Sequence, residues 1–286
     1  MKSLFTFILS IVSMITLGQK DFQGKATYMS KTSVDLNNFA RGGEQLSDAR
    51  KKQIQDRMKS QLEKTFILNF DKSSSIYKED AKLEAPTTGG GGRGPRFGSF
   101  SSGGTKYKNT KDKVALEATE FFGKKFLVSD DMKQPQWELG AETKQIGNYL
   151  CYKATLLKDA NPLDFSNFRR PRKEDDKKEK EDTEKEVEVK QVVVTAWYTP
   201  QIPVSNGPGE YWGLPGLILE INEGTTTILC TEIVLNPSEK AAIEAPSKGK
   251  KITREKYSES VTKKMEELRQ NFQNRGRGGN RGGGRF

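Results

Sequence analysis

Short apolar runs, several of them alternating with polar residues, recur along this chain, and clusters of Gly, Asn, Asp and Ser separate them. A period of two places side chains on opposite faces of an extended chain, so these runs predict strands. Strands are expected over residues 22–28, 66–70, 75–79, 113–119, 121–128, 137–139, 145–156 and 192–198. Residues 71–74, Asp-Lys-Ser-Ser, supply a turn and make 66–79 a hairpin. A last hairpin runs from Leu217 to residues 225–235 through a turn at Asn222, Glu223 and Gly224.

Two stretches change period. Over 46–64, Leu46, Ala49, Ile54, Met58 and Leu62 form a narrow stripe on a heavily charged helix, which is either exposed or a lid. Near the end Tyr257, Val261, Met265, Leu268 and Phe272 recur at spacings of four, four, three and four, with Thr253 placed to cap that helix. Strands outnumber helices and their connections are short. The expected fold is mainly β (α+β): a curved antiparallel sheet or incomplete barrel covered by one or two helices.

Three polar segments cannot build a core. Residues 86–105 are rich in Gly, Ser and Thr, with Arg93 and Arg96 among them. Residues 169–190 carry nine basic and nine acidic side chains and read as a solvated insertion. Residues 275–286 place Arg275, Arg277, Arg281 and Arg285 among glycines, a disordered tail. These segments account for a hydrophobic content of 33% against 30% charged. One domain over 19–274 is therefore expected, with disordered loops near 86–105 and 169–190.

Residues 1–18 read as a signal peptide, with Lys2 first, an apolar run over 4–17, and Gly18 before the mature chain. The expected product is soluble, in the periplasm or outside the cell. That address changes the chemistry. Cys151 and Cys230 lie in strand-like runs and, in an oxidising compartment, either pair or stay as two buried thiols. A bridge would contribute on the order of 4 kcal/mol in the chain-entropy model. The tail resembles RGG repeats, but export removes nucleic acid as a partner. It either meets lipopolysaccharide, another anionic envelope polymer or an acidic protein patch, or is inert. The formal charge of +10 agrees loosely with anionic partners.

Histidine is absent from the sequence. Ser-His-Asp and Cys-His catalysis and His-ligated zinc are thereby excluded, and two cysteines are too few for a thiolate metal site. No cofactor is expected. A hydrolase would need two converging carboxylates with separated pKa values. Glu138, Glu142 and Glu220 are the acids inside strand-like regions, and their spacing carries no signature.

The most distinctive segment begins Ala196, Trp197, Tyr198, Thr199, Pro200, Gln201, Ile202, Pro203. It continues through Gly207 and Pro208 to Trp212, Gly213, Leu214, Pro215, Gly216, Leu217 and Ile218. This segment resembles the GLPGLI family of secreted Bacteroidetes proteins, whose name residues 213–218 reproduce. Residues 142–154 and 74–78 also look like that family, and the resemblance extends over about 24–235. It implies an envelope role beside outer-membrane proteins and carries no assigned reaction. The strand order is also similar to lipoprotein-carrier half-barrels, which implies a concave apolar sheet with a helical lid.

Within the segment, glycine permits close backbone approach or positive φ and proline fixes φ, so Trp212 and Leu214 are held in place. It is either a rigid lip of a binding site, with Trp197, Tyr198 and the prolines around it, or a corner that fills its own core. The expected function is a non-enzymatic envelope protein that binds or carries an apolar ligand, a lipid for example, or an outer-membrane protein. The alternatives are a surface-interaction protein acting through its basic tail, or an exported carboxylate hydrolase.

Overall fold

The computed structural model describes residues 22–33, 47–80, 104–159 and 191–278. Residues 1–18, expected to be a signal peptide, lie outside these residues, as do Arg281, Arg285 and nearly all of both polar loops. The first half of the chain supplies β1 (Gln23–Thr32), α1 (Asp48–Leu62), β2 (Glu63–Asp71), β3 (Ser74–Glu79), β4 (Thr105–Asn109), β5 (Val114–Phe121) and β6 (Lys124–Asp131). The second half supplies β7 (Glu138–Ile146), β8 (Tyr149–Asp159), β9 (Gln191–Thr199), β10 (Leu217–Glu223), β11 (Thr226–Leu235), β12 (Lys250–Thr253) and α2 (Arg254–Gly278).

The strands form one open, curved sheet in the order β12-β6-β5-β4-β3-β2-β1-β11-β10-β9-β8-β7. The mainly β expectation holds, with one correction. Strand β12 runs parallel to β6, from Lys250 opposite Phe126 to Thr253 opposite Ser129, where an all-antiparallel sheet was expected. Its sequence, Lys-Lys-Ile-Thr, has a single apolar side chain and gave no periodic signal. Strand β4 escaped for the same reason: Tyr107 is its one large apolar residue, and Thr105, assigned to the loop, opens it. The run 145–156 is two strands, because Gly147 at φ +57 and Asn148 turn the chain between β7 and β8.

Two buried clusters hold the sheet. One gathers Ala26, Tyr28, Leu68, Phe70, Tyr77, Cys151, Ile202, Val204, Leu217, Leu219 and Cys230. The other gathers Ala154, Val194, Ala196, Tyr198, Tyr211, Leu214, Ile218 and Ile221. Both draw on the connection between β9 and β10. Each large side chain removed from water here contributes roughly 1.5–3 kcal/mol. Helix α1 is capped by Ser47, whose Oγ accepts from the Arg50 N–H at 3.4 Å, and it packs against β1 and β2. Helix α2 starts as expected, with Thr253 Oγ1 accepting from Lys256 N–H at 3.4 Å. Its Tyr257 ring meets Phe121 and Phe126, and Val261 is buried. The helix continues to Gly278, so Arg275 and Arg277 belong to it rather than to a disordered tail.

Cys151 and Cys230 are two free, buried thiols, which corrects the disulfide expectation. They lie on β8 and β11, with β10 and β9 between them in the sheet. Each Sγ–H turns to a carbonyl on its own strand, Tyr149 at 3.7 Å and Glu232 at 3.5 Å. Burial pushes the Cys151 thiol up to about 11, with the Glu220 charge adding to it. Burial likewise pushes Cys230 up to about 12. The thiolate that disulfide exchange requires is scarce at both.

Candidate functional site

Residues 200–216 fold back on the sheet, and backbone bonds fix them there. Leu217 N–H donates to Ile202 O at 2.9 Å, Ile218 N–H to Asn206 O at 3.0 Å, and Asn206 pairs with Trp212 across a single bridge. Two glycines make this path possible. A Cβ on Gly216 would stand 2.1 Å from Thr199 O, and Gly213 has φ +94. Side chains from distant strands complete the anchoring. Tyr28 OH donates to Ile218 O at 2.7 Å, Trp137 Nε1–H to Trp212 O at 2.8 Å, and Ser75 Oγ–H to Asn206 Oδ1 at 2.8 Å. The Asn206 Nδ2 is buried without a hydrogen-bond partner.

The central anchor is Lys108 on β4, 3% exposed. Its Nζ donates to Gly207 O and to Tyr211 O, both at 2.8 Å. Burial lowers its pKa to about 7, Lys106 lowers it further, and Glu210 opposes them. Nothing in the sequence singled out this lysine. Its strand went unread, and a lysine between Tyr107 and Asn109, with Lys106 two residues before it, reads as a solvated face.

The connection therefore puts most of the expected site residues inside. Tyr198, Pro208, Trp212, Leu214, Gly216, Leu217 and Ile218 are buried. Pro200, Pro203 and Pro215 are exposed, and Gly213 is half-buried. Trp197 is half-buried beneath Lys144, whose Nζ stands 5.5 Å from the ring centroid. The arrangement is that of a corner filling its own core.

Beside the connection lies a charged cleft of about 220 Å³, lined by Lys106, Lys108, Glu117, Asp130, Asp131, Lys133, Glu210, Trp212 and Arg254 among others. Arg254 donates from Nη1 to Glu117 Oε2 at 2.7 Å and from Nε to Asp130 Oδ2 at 2.8 Å. Lys158 bridges Glu210 and Glu223, and Tyr211 OH donates to Glu223 Oε2 at 2.6 Å. The Glu210 side chain is 52% exposed; partial desolvation raises its carboxyl, but Lys106, Lys158 and Arg254 outweigh that and hold it at about 2. An ionised carboxylate so held cannot donate a proton near neutral pH. Among the described residues no group of three or more metal-ligating side chains gathers.

The three candidate acids are also engaged or exposed. Glu220 accepts from Lys144 Nζ at 2.6 Å and from Asn222 Nδ2 at 2.8 Å, Glu142 accepts from Lys153 Nζ at 2.7 Å, and Glu138 is exposed on β7. Arg275 and Arg277 lie late on α2, far along the chain from the cleft-lining Arg254.

No curated protein matches the chain. Among solved structures, two of PNGF-II, in C2 and P21 crystal forms, match at 11% identity with TM-scores of 0.46 and 0.44. They cover 85% and 83% of this chain, and the chain spans only 33% and 32% of theirs. The lipoprotein-carrier resemblance has no counterpart in these matches. Among helices of the described residues, none is long and apolar enough to cross a membrane. Residues 137–220, from β7 through the whole β9–β10 connection, match the model of a family described as a protein of unknown function (Porph_ging).

Proposed function

We propose that the protein is an exported, non-enzymatic module of the cell envelope that binds an outer-membrane protein partner through the β7 end of its sheet. The observation that carries this reading is the exposed edge. Strand β7 ends the strand order, and eight of its nine residues are exposed. Leu139 (63% exposed), Leu157 (62%) and Val193 (57%) stand out on β7, β8 and β9, and Leu157 and Val193 are cross-strand partners. An extended segment of the partner would add to β7, taking main-chain hydrogen bonds from the edge and an apolar contact from Leu139. A carrier of an internal apolar ligand is disfavoured, because Ile202, Val204, Tyr211 and Leu214 occupy the space against the sheet. The absence of histidine and the engagement of Glu142, Glu220, Glu117 and Asp130 with basic partners support a role without catalysis.

Native mass spectrometry of the mature protein from its envelope fraction is expected to return the bare chain. A stoichiometric lipid adduct would sink the surface reading in favour of a carrier. A photo-crosslinking residue at position 139 is expected to join the protein to one outer-membrane protein. With that protein purified, Leu139→Lys is expected to weaken the complex, and an unchanged affinity would count against docking at β7.

A further inference from the structure

A second surface lies at the other end of the sheet. The hairpin joining β5 to β6 turns at Phe122 and Gly123, with φ of +50 and +74. Two successive positive φ values favour Asn-Gly or Asp-Gly. A phenylalanine in the left-handed region is an outlier, and backbone strain of this kind concentrates at functional positions. Phe122 is also 40% exposed at the tip, edge-on to Phe121.

Basic side chains surround that tip. Lys124 and Lys125 follow it directly and are exposed. Strand β12 pairs with β6 from the same end, Lys250 opposite Phe126, which brings the exposed Lys248 and Lys250 alongside. Helix α2 runs back across the tip, since Tyr257 meets Phe121 and Phe126 while Lys264 Nζ stands 6.0 Å from the Phe122 ring centroid. The acids of this region are Glu120, which sits opposite Lys125, Glu267, which pairs with Lys264, and Glu259 and Glu266 on the same stretch of α2.

We propose that this tip docks on an anionic lipid bilayer, with Phe122 entering the headgroup boundary and Lys124, Lys125, Lys248, Lys250 and Lys264 meeting lipid phosphates. An aromatic ring at the crest of a ring of cations fits the membrane interface, where aromatic side chains settle and basic ones are attracted by the surface potential. A soluble anionic polymer would use the lysines alone and leave the strained phenylalanine without a role. This surface and the β7 edge lie at opposite ends of the strand order, so either can fail alone.

The test is co-sedimentation of the mature chain with vesicles of phosphatidylcholine alone, and of three parts phosphatidylcholine to one part phosphatidylglycerol. Binding is expected only to the anionic vesicles. Replacing Lys124 and Lys125 by Gln is expected to weaken it by roughly fivefold per lysine. Phe122→Asn separates docking from folding, because asparagine adopts this φ more readily. It is expected to melt no lower than the parent and yet to bind severalfold more weakly. Equal binding by Phe122→Asn, equal binding to neutral vesicles, or tip variants that bind like the parent while truncation after residue 274 abolishes binding would each overturn the proposal. The last outcome would assign the contact to the arginine tail.

Discussion

A neutral amine has two N–H bonds, and Lys108 has two carbonyls to satisfy, those of Gly207 and Tyr211. The ammonium form would bring a third proton into a buried site, which is the physical sense of its depressed pKa of about 7. The folded state therefore releases this proton more readily than the unfolded chain, whose lysine titrates near 10.5. Between these values the unfolded state binds more protons, so stability rises with pH from about 7 toward 10.5 and is lowest below 7. Above about 9 the buried thiols of Cys151 and Cys230, and above 10 the hydroxyls of Tyr28, Tyr77 and Tyr211, all raised by burial, reverse the rise that Lys108 alone would carry to 10.5, because only the unfolded chain ionises them readily. Urea midpoints are expected to climb from pH 6 to 9. In Lys108→Met that climb is expected to flatten, and the protein to lose about 2 kcal/mol or more at pH 9 as two carbonyls lose their donor. A variant keeping the full climb would show that another group titrates. None of this was legible beforehand, because a buried lysine has the same letter as a solvated one and its partners lie about a hundred positions away.

The connection of residues 200–216 shows which parts of an element can be read in advance. Its mixture of Gly and Pro among large apolar residues left two readings open, a lip of a binding site or a corner that fills its own core, and the residues pack in the second way. Its partners were invisible, because Tyr28, Ser75, Lys108 and Trp137 come from four separate strands or their flanks. Gly216 tests the geometry most directly. An added methyl would press on the Thr199 carbonyl, backbone that has no rotamer by which to yield. Gly216→Ala is expected to cost roughly 1–3 kcal/mol in a denaturation curve. A neutral effect would mean that the β9–β10 corner relaxes freely. Strands with apolar runs, such as β2, β3 and β9, were legible from pattern, whereas β4 and β12 were not. Their side chains are mostly lysine and threonine, and neighbouring strands rather than their own hydrophobicity hold them in place.

Across the whole molecule, two hairpins and the short connections were legible in the sequence, but not how the two halves of the sheet join. Strand β1 pairs with β2, its next strand in the chain, and with β11, where Gly24 meets Leu235. That seam between β1 and β11 is what makes twelve strands one sheet. A fragment ending before β7 is expected to show no cooperative thermal transition, since Tyr28 would lose Ile218 O and the cluster around it would lose Leu219 and Cys230. A sharp melt in such a fragment would show that β1–β6 stand alone. The seam also sets a clock. Contacts that close loops of about 200 residues form late, because their entropy is lost before any burial repays it. A chain leaving the ribosome would hold its first strand without its second neighbour until almost the whole sheet had been synthesised. Under the export proposed above that delay is useful, since a translocation channel admits only polypeptide that has not yet folded.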